Sequence, residues 1–491
     1  YEIASCLVGS EMCIRDRRVQ VQRKAEPLGH DARQRIVPRL EKCVHPRAPF
    51  RLFLFYRNIW HKKAVFWHVF YHRQCYNASK SSGGKESVEM TKPVRVAMIG
   101  VGAISGIYLQ NLTETFREVE LTGVCDLIPE RAETGVRKVR EMVENGANAV
   151  IPKIYKDMYE AFSDPEVEVV LNLTRPYEHF EVTKQALLHG KHVYSEKPLA
   201  VDMEEADALV SLAEEKGLLL GGAPDTFLGA GIQTARRIID SGMIGDVIGA
   251  NCAMVCHGHE TWHPDPEFYY KRGGGPMMDM GPYYVTALVQ LLGEAKAVMG
   301  MTKKSFTERI ITSSPHAGET IDVDVDTHLC GNILFSSGAV AQILTTFDVF
   351  YSPQAQARFE VYGTRGTIAV PDPNTFGGPV LLLRPEDQAA APKTDPALQR
   401  KTVPNIYEGY KEIPLMYDYA ENSRALGLAD MCKALRTGRG FRANYRQQHH
   451  VLEILTSFTK SSETGALVPL KTRYERSAPM QNNPLHGVLD S

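Results

Sequence analysis

The chain has 491 residues, of which 43% are hydrophobic and 23% charged, with a formal net charge of -2. This is ordinary globular composition with room for two or more sizeable domains. The near-neutral balance argues against bulk attraction to nucleic acid or acidic membranes.

The total hides a split. Residues 1–89 carry 17 Lys and Arg against 8 Asp and Glu, a net of +9, and the remainder carries 39 against 50, a net of -11. The first segment shows no capped helix and no alternating strand. Its stretch from Ser5 to Arg17, SCLVGSEMCIRDR, resembles the translation of a sequencing-library adapter. Residues 1–89 are therefore expected to be a non-native or disordered extension, with Met90 as the natural start. A basic targeting extension fits less well, because Trp60, Trp67 and the aromatic run from Phe53 to Tyr71 are unlike a Ser-rich amphipathic helix. Arg57, His61, Lys62 and Lys63 interrupt its apolar bursts, so no membrane span is predicted. Four cysteines (Cys6, Cys13, Cys43, Cys75) lie here. The other five (Cys125, Cys252, Cys256, Cys330, Cys432) are expected to be buried, reduced thiols of a cytosolic protein. Cys252 and Cys256 have no second pair to complete a zinc site.

From Met90 to about Ala223 the pattern alternates strand and helix. Val94–Ile99 reads as a buried strand. It runs into Gly100, Val101, Gly102, Ala103, Ile104, Ser105 and Gly106, followed by a helix to about Phe116. Gly100 permits a tight turn, Gly102 lets the backbone approach a pyrophosphate, and Ser105 takes the place of the third, packing glycine. The helix amino terminus then presents free N–H groups to phosphate. A second strand, Val119 to Cys125, ends at Asp126. A carboxylate there can bind the adenosine ribose hydroxyls and repel a 2′-phosphate, which favours NAD; nearby Arg131 leaves NADP open.

A helix is predicted from Glu130 to Glu144 and a short strand over Lys153 to Tyr155. Asp157 is expected to cap Met158 to Phe162. The strand Val167 to Leu173 leads into Thr174 to His179 and a helix to about His189. Val193-Tyr194 then reaches Ser195-Glu196-Lys197-Pro198, where proline must stop the strand. Glu196 and Lys197 are thus left at a carboxyl edge, where open α/β sheets bind ligands. Asp202 should cap a helix that Gly217 ends, and Leu218 to Gly221 is the last strand. The alternation predicts a doubly wound parallel sheet.

The glycine turn, Asn172-Leu173-Thr174, the lead-in from Gly190 to Val193 and Glu196-Lys197-Pro198 resemble the Gfo/Idh/MocA oxidoreductases, over roughly Met90 to Lys471. The resemblance implies a Rossmann domain (90–223) and a substrate and oligomerisation domain (224–471), with residues 472–491 as a tail. It implies that an open sheet covers the nicotinamide and often builds dimers or tetramers on its other face. It implies hydride transfer to or from a sugar, polyol or related carbonyl compound. It places the cofactor on Gly100, Gly102, Ala103, Ile104, Ser105, Asp126, Asn172, Leu173, Thr174, His179, Glu196 and Lys197.

In the second half, Asp225-Thr226-Phe227 opens a helix reaching Ser241-Gly242. Strands are predicted at Val247 to Val255, Val323 to Phe335, Val340 to Phe347 and Ala357 to Val361. Their spacing is that of a meandering, largely antiparallel sheet in an α+β domain. Pro371 to Pro404 reads as a long loop, and Ala425 to Leu435 and His450 to Ser461 as helices. The glycine run before Asp279, with Tyr283 four residues on, resembles the family's second signature. Positions i and i+4 of a helix share a face. Many members carry histidine at the later position; this chain has tyrosine there, Tyr283, and so does the glucose–fructose oxidoreductase branch.

Oxidation of an alcohol needs a base. A free tyrosine with pKa near ~10 is a poor one, and a nearby ammonium favours the phenolate. Either Lys197 tunes Tyr283 as the acid/base, or Lys197 is the acid/base and Tyr283 orients substrate. Asp279 binds a sugar hydroxyl or holds Lys197. Glu196 orients the nicotinamide side.

His257 and His259 would share a strand face. With Trp262, His259 is expected to form a substrate rim rather than a metal site. His179 either touches cofactor or only begins its helix. Asp322, Asp324 and Asp326 read as a solvated strand face, and His449-His450 as structural. The expected protein is an α/β, cytoplasmic, NAD(P)-dependent sugar or polyol dehydrogenase. It would be a homo-dimer or homo-tetramer, without nucleic-acid, membrane or metal partners. The rivals are an NAD-dependent glycosidase that oxidises transiently and a non-catalytic dinucleotide sensor.

Overall fold

The computed structural model describes residues 92–350, 358–390, 409–482 and 485–490. The expectations for residues 1–89, and for the end of the loop placed before Pro404, lie outside them. Met90–Ser491 forms one compact unit.

Its first half is a six-stranded parallel sheet in the order β3-β2-β1-β4-β5-β6. The strands are β1 (Val94–Ile99), β2 (Val119–Cys125), β3 (Lys153–Ile154), β4 (Val169–Asn172), β5 (His192–Ser195) and β6 (Leu220–Gly222). The helices between them are α1 (Ser105–Glu114), α2 (Pro129–Glu144), α3 (Met158–Ser163), α4 (His179–Leu188) and α5 (Met203–Lys216). β4 is buried along its whole length, as a central strand covered on both faces must be. β3 is short and exposed, which suits an edge. The caps fall where the sequence puts them. The Asp157 carboxylate accepts from the Glu160 N–H at 2.9 Å, and that of Asp202 from the Glu205 N–H at 3.0 Å. Each is worth about 1 kcal/mol against alanine. Gly217 ends α5 with φ 64°. The strand order reverses between β1 and β4, so the ligand crevice lies above that pair.

The second half is a nine-stranded sheet in the order β16-β15-β14-β13-β7-β12-β11-β8-β17. It contains β7 (Val247–Val255), β8 (Ala295–Lys303), β11 (His328–Phe335), β12 (Val340–Thr346) and β13 (Arg358–Gly363). The edges are built by β14 (Gly366–Ala369), β15 (Val380–Leu383), β16 (Lys411–Ile413) and β17 (Val468–Pro469). Pairing is antiparallel except between β7 and β12. β9 (Glu308–Ile310) and β10 (Thr320–Asp322) make a separate two-stranded ribbon. The remaining helices are α6 (Ala230–Asp240), α7 (Pro276–Asp279), α8 (Gly281–Leu292), α9 (Pro385–Ala390), α10 (Leu426–Thr437) and α11 (Tyr445–Thr464). α8 and α11 pack on the inner face of the large sheet. The outer face leaves Ile248, Met299, Met301 and Val340 exposed. No helix among the described residues is long and apolar enough to cross a membrane.

Several sequence expectations are corrected. The helix after Asp225 is a short turn over Thr226–Leu228, then α6, because Gly229 holds an extended conformation between them. The strand expected from Val323 to Phe335 starts only at His328. Asp324 pairs with Lys271 at 3.0 Å and Asp326 accepts from Thr459 at 3.3 Å, so the three aspartates share no strand face. The stretch taken as a loop after Pro371 holds β15 and α9. Cys330 is only half-buried, whereas the other four described cysteines are buried. Residues 472–490 are no tail where described: Leu489 is fully buried and its N–H donates to Glu118 at 2.7 Å.

Candidate active site

The glycine turn sits at the carboxyl edge of β1. Gly100 has φ 95°, and a Cβ there would lie 2.7 Å from the Leu173 carbonyl oxygen, so only glycine fits without strain. A Cβ on Gly102 would meet no protein atom within 4 Å. That bare backbone, with Ala103 exposed beside it, leaves room for a pyrophosphate. Ile104 at the start of α1 provides no side-chain cap, and the first turn holds no acidic residue. Ser105 is buried, and its hydroxyl donates to the Gly102 carbonyl at 2.7 Å, bracing the turn. Asp126 accepts from the Val101 N–H at 2.6 Å and the Ile128 N–H at 2.8 Å. Its carboxylate is thereby aimed at the turn, where a ribose would follow the phosphates. These features fit a dinucleotide.

The end of β4 works differently. Asn172 is fully buried. Its amide donates to the His179 carbonyl at 3.2 Å and to Thr183 Oγ1 at 3.1 Å, and its oxygen accepts from the Thr174 N–H at 3.2 Å and hydroxyl at 2.6 Å. Asn172 therefore shapes the Leu173-Thr174 loop from beneath. Leu173 is also buried. His179 is 1% exposed, with Nδ1 2.8 Å from the Pro198 carbonyl oxygen and Nε2 3.0 Å from that of Thr174. It ties the β4 loop to the β5 loop, and burial pulls its pKa down. His179 also begins α4.

Lys197 follows β5, and its peptide to Pro198 is cis. Glu196 beside it accepts from the Tyr108 hydroxyl of α1 at 2.7 Å and from the Lys197 N–H at 2.9 Å. Lys197 Nζ donates to the Asp279 carbonyl at 2.6 Å and to Asp279 Oδ1 at 2.8 Å. The second carboxylate oxygen lies 2.9 Å from His259 Nε2. Trp262 Nε1 donates to His259 Nδ1 at 3.2 Å, so the imidazole proton is on Nε2 and points at Asp279. The result is a relay of polar contacts, Trp262 to His259 to Asp279 to Lys197. Lys197 Nζ also lies 5.3 Å from the Tyr283 ring centroid.

Burial lowers the pKa of the Lys197 ammonium, but Asp279, Tyr283 and Glu196 more than offset it, and the net shift is upward. Burial raises the Asp279 carboxyl, yet Lys197 and His259 hold it well below the usual carboxylate range. The pair is therefore a buried ammonium and carboxylate. Lys197 is a fixed cation at neutral pH, poorly suited to accept a proton.

Three expectations for this half change. Asp279 and Tyr283 do not sit on one continuous helix: Asp279 ends α7 and Tyr283 belongs to α8, with the break at Met280. They meet around Lys197 all the same. His257 and His259 follow the end of β7 and share no strand face. His259 is 5% exposed with both ring nitrogens occupied, so it supports Asp279 rather than offering a free nitrogen to a substrate. Trp262 is 40% exposed.

The loop that carries His259 is held from behind. The buried Arg309 guanidinium donates to Glu260 at 3.0 Å, Asp348 at 2.5 Å and the Phe347 carbonyl at 2.8 Å, and the Tyr270 hydroxyl donates to Glu260. Arg424, just before α10, is 4% exposed and donates to Asn422 Oδ1 at 2.7 Å and Asn374 Oδ1 at 2.8 Å. Neither arginine stands in a motif. Each comes from a sequence-distant segment that only folding brings in.

Comparison with known proteins agrees with this architecture. Residues 94–222 match the model described as the oxidoreductase family, NAD-binding Rossmann fold, and residues 232–369 the GFO/IDH/MocA C-terminal domain. The 1,5-anhydro-D-fructose reductase of Ensifer adhaerens is 30% identical over 306 residues, 60% of this chain and 84% of that protein. The inositol 2-dehydrogenase/D-chiro-inositol 3-dehydrogenase of Lactiplantibacillus plantarum is 30% identical over 153 residues, 31% of this chain and 41% of that protein. A levoglucosan dehydrogenase solved with NADH and L-sorbose shares the fold with a TM-score of 0.62 at 20% identity, covering 78% of this chain and 100% of that one.

Proposed function

The chain belongs to the GFO/IDH/MocA family of NAD-binding oxidoreductases, and we propose that it is an NAD-dependent dehydrogenase of a sugar, polyol or related carbonyl compound. The observation that carries this reading is the Lys197–Asp279 pair beside Tyr283, at the sheet edge shared with the glycine turn. Relatives named as reductases or dehydrogenases of anhydrofructose, xylose and inositols support the substrate class.

NAD⁺, when bound on Gly100, Gly102, Ser105 and Asp126, supplies the hydride acceptor. The chain's own residues manage the proton and the position. The substrate carbinol gives its O–H proton to Tyr283 Oη, which enters the step as the phenolate and leaves it as the phenol, while the carbon-bound hydride would pass to the bound cofactor and the carbinol becomes a carbonyl. Lys197, kept charged by Asp279, stabilises the developing alkoxide and the tyrosine oxygen. Asp279, kept charged by Lys197 and His259, fixes the Lys197 ammonium in place. Trp262 at the rim offers an apolar face to a sugar ring. The Asp126 carboxylate favours NAD over NADP by repulsion of a 2′-phosphate. The exposed apolar outer face of the large sheet supports a homo-oligomer.

The test is a screen of sugars, inositols and anhydro-sugars for NADH formation, followed by Lys197→Ala and Tyr283→Phe on the best substrate. Each variant should lose at least about a hundredfold in kcat with NAD affinity kept. Near-normal turnover in Tyr283→Phe removes it as the acid/base. Asp126→Ala should weaken NAD more than NADP; equal weakening removes it as the ribose reader.

A further inference from the structure

Two tyrosines stand side by side before the glycine run, and the fold spends them differently. Tyr270 is fully buried, and its hydroxyl donates to Glu260 in the Arg309 cluster. Tyr269 is half-buried, and its hydroxyl has no hydrogen-bond partner among the described residues. A sheltered phenol of this kind costs free energy until a ligand or water completes it. Burial, with Asp279 and Tyr283 close by, pushes its pKa up, so it stays protonated and able to donate.

The glycine run sets the place of Tyr269. A Cβ on Gly274 would lie 2.5 Å from the Tyr269 carbonyl oxygen, and the Gly275 N–H donates to that oxygen at 2.6 Å. Gly275, at φ 86°, precedes α7, and its own carbonyl accepts from the Asp279 N–H at 2.9 Å. The chain therefore folds back so that Tyr269 and Asp279 meet at one imidazole. The Tyr269 ring centroid is 4.2 Å from that of His259, whose Nε2 lies 2.9 Å from Asp279 Oδ2. Phe268 packs against the tyrosine, with ring centroids 4.0 Å apart. The same loop rests on the ligand edge of the first sheet. Asp265 pairs with Arg175 just past β4, and Arg272 pairs with Asp202 and, at 3.1 Å, with Glu205, at the start of α5. A Cβ on Gly273 would lie 2.5 Å from the Val201 side chain. These contacts hold the loop across the edge that carries Lys197.

We infer that Tyr269 is a specificity-determining residue of the site: its hydroxyl hydrogen-bonds a ring hydroxyl, next to the carbinol being oxidised, on a cyclic sugar or cyclitol. This rests on the proposed dehydrogenase reading. The C–H face of a six-membered polyol packs against an aromatic surface while its hydroxyls take directional bonds, and a tyrosine offers both an apolar body and a polar tip. An open-chain polyol presents no such face. The bond discriminates because a substrate without that hydroxyl leaves the phenol unpaired. Tyr269 neither holds the cofactor nor moves the proton; both tasks stay with the residues already named.

The test uses Tyr269→Phe in the full chain, which keeps the ring contact with His259 and removes only the oxygen. The probes are myo-inositol, D-glucose, D-xylose and 1,5-anhydro-D-glucitol, with the monodeoxy analogues of whichever is used or bound best. Turnover is followed with NAD⁺, and sugar binding to the NADH-loaded protein by calorimetry. In Tyr269→Phe, kcat/KM for the best ring polyol should fall by about tenfold or more, and the preference for that polyol over one of its monodeoxy analogues should shrink by the same factor. NADH affinity should stay within about threefold, since that binding does not use the Tyr269 hydroxyl. A merely structural role would lower every substrate alike and leave the preference untouched. That outcome, or a loss below about twofold on every probe, overturns the inference. Sugar binding that depends on Tyr269 without any NADH formation supports the role of Tyr269 and defeats the dehydrogenase reading, which keeps the two failures apart. Neither binding nor turnover across the panel overturns the inference, because ring polyols are the class it names.

Discussion

His450 should make the protein acid-labile in a defined window. It is fully buried in α11. Its Nε2 accepts from the Ala295 N–H at 3.1 Å, at the start of β8. Its Nδ1 donates at 2.7 Å to Thr472 Oγ1, whose own proton goes to Glu453 at 2.6 Å. The imidazole is therefore neutral, and protonating Nε2 would set two donors against each other. Burial brings its pKa down to about 4. An unfolded histidine titrates near ~6.5, and each pKa unit corresponds to about 1.4 kcal/mol. Because the folded pKa is the lower one, the unfolded chain binds more protons between the two values, and stability rises with pH there. The contribution is complete above about pH 6.5 and lost as pH falls to about 4, for a total of about 3 kcal/mol. His450→Gln offers a carbonyl oxygen to Ala295 and does not titrate. Urea unfolding of both proteins at several pH values between 4 and 7.5 measures the difference. That difference should change by about 3 kcal/mol across the window, with the variant gaining relative to the parent at low pH. A difference that stays constant with pH would refute the reasoning, whatever its size at neutrality.

Other expectations concern the site. Lys197→Met leaves the Asp279 carboxylate buried without its cation, so it should destabilise the protein by about 3–5 kcal/mol in addition to removing turnover. Adding Asp279→Asn should restore much of the stability but none of the activity; a double variant no more stable than the single one counts against the pairing. Gly100→Ala places a Cβ 2.7 Å from the Leu173 carbonyl at φ 95°. NADH affinity, read by fluorescence, should fall by at least about tenfold as the turn shifts, and unchanged affinity would remove the turn from the cofactor site.

Much of the first half was legible because its signals are local. Alternating buried strands and amphipathic helices follow from neighbouring residues, and Asp157, Asp202 and Gly217 act within one turn of their own position. The glycine turn was legible for the same reason, as Gly100 answers to a backbone angle. The second half was harder. β8 pairs with β11 and β17, and β15 with β16, across long sequence separations, so part of their stability lies in cross-strand neighbours that a linear pattern does not display. The break at Met280 was hidden by the i, i+4 spacing of Asp279 and Tyr283. His259 was singled out for the rim, yet its two nitrogens are spent on Trp262 and Asp279.

By itself the sequence determined the parallel sheet, the dinucleotide turn and the family, and it singled out Lys197, Asp279 and Tyr283, which the fold brings together. These rest on short-range geometry and on residue types that few other roles demand. Only the tertiary structure decided their electrical states and helpers. Whether Lys197 is a base or a fixed cation depends on the Asp279 oxygen 2.8 Å away. Whether Asp279 has a second donor depends on His259, whose Nε2 lies 2.9 Å from its other oxygen. Burial and proximity set protonation, and both exist only after the distant segments have packed.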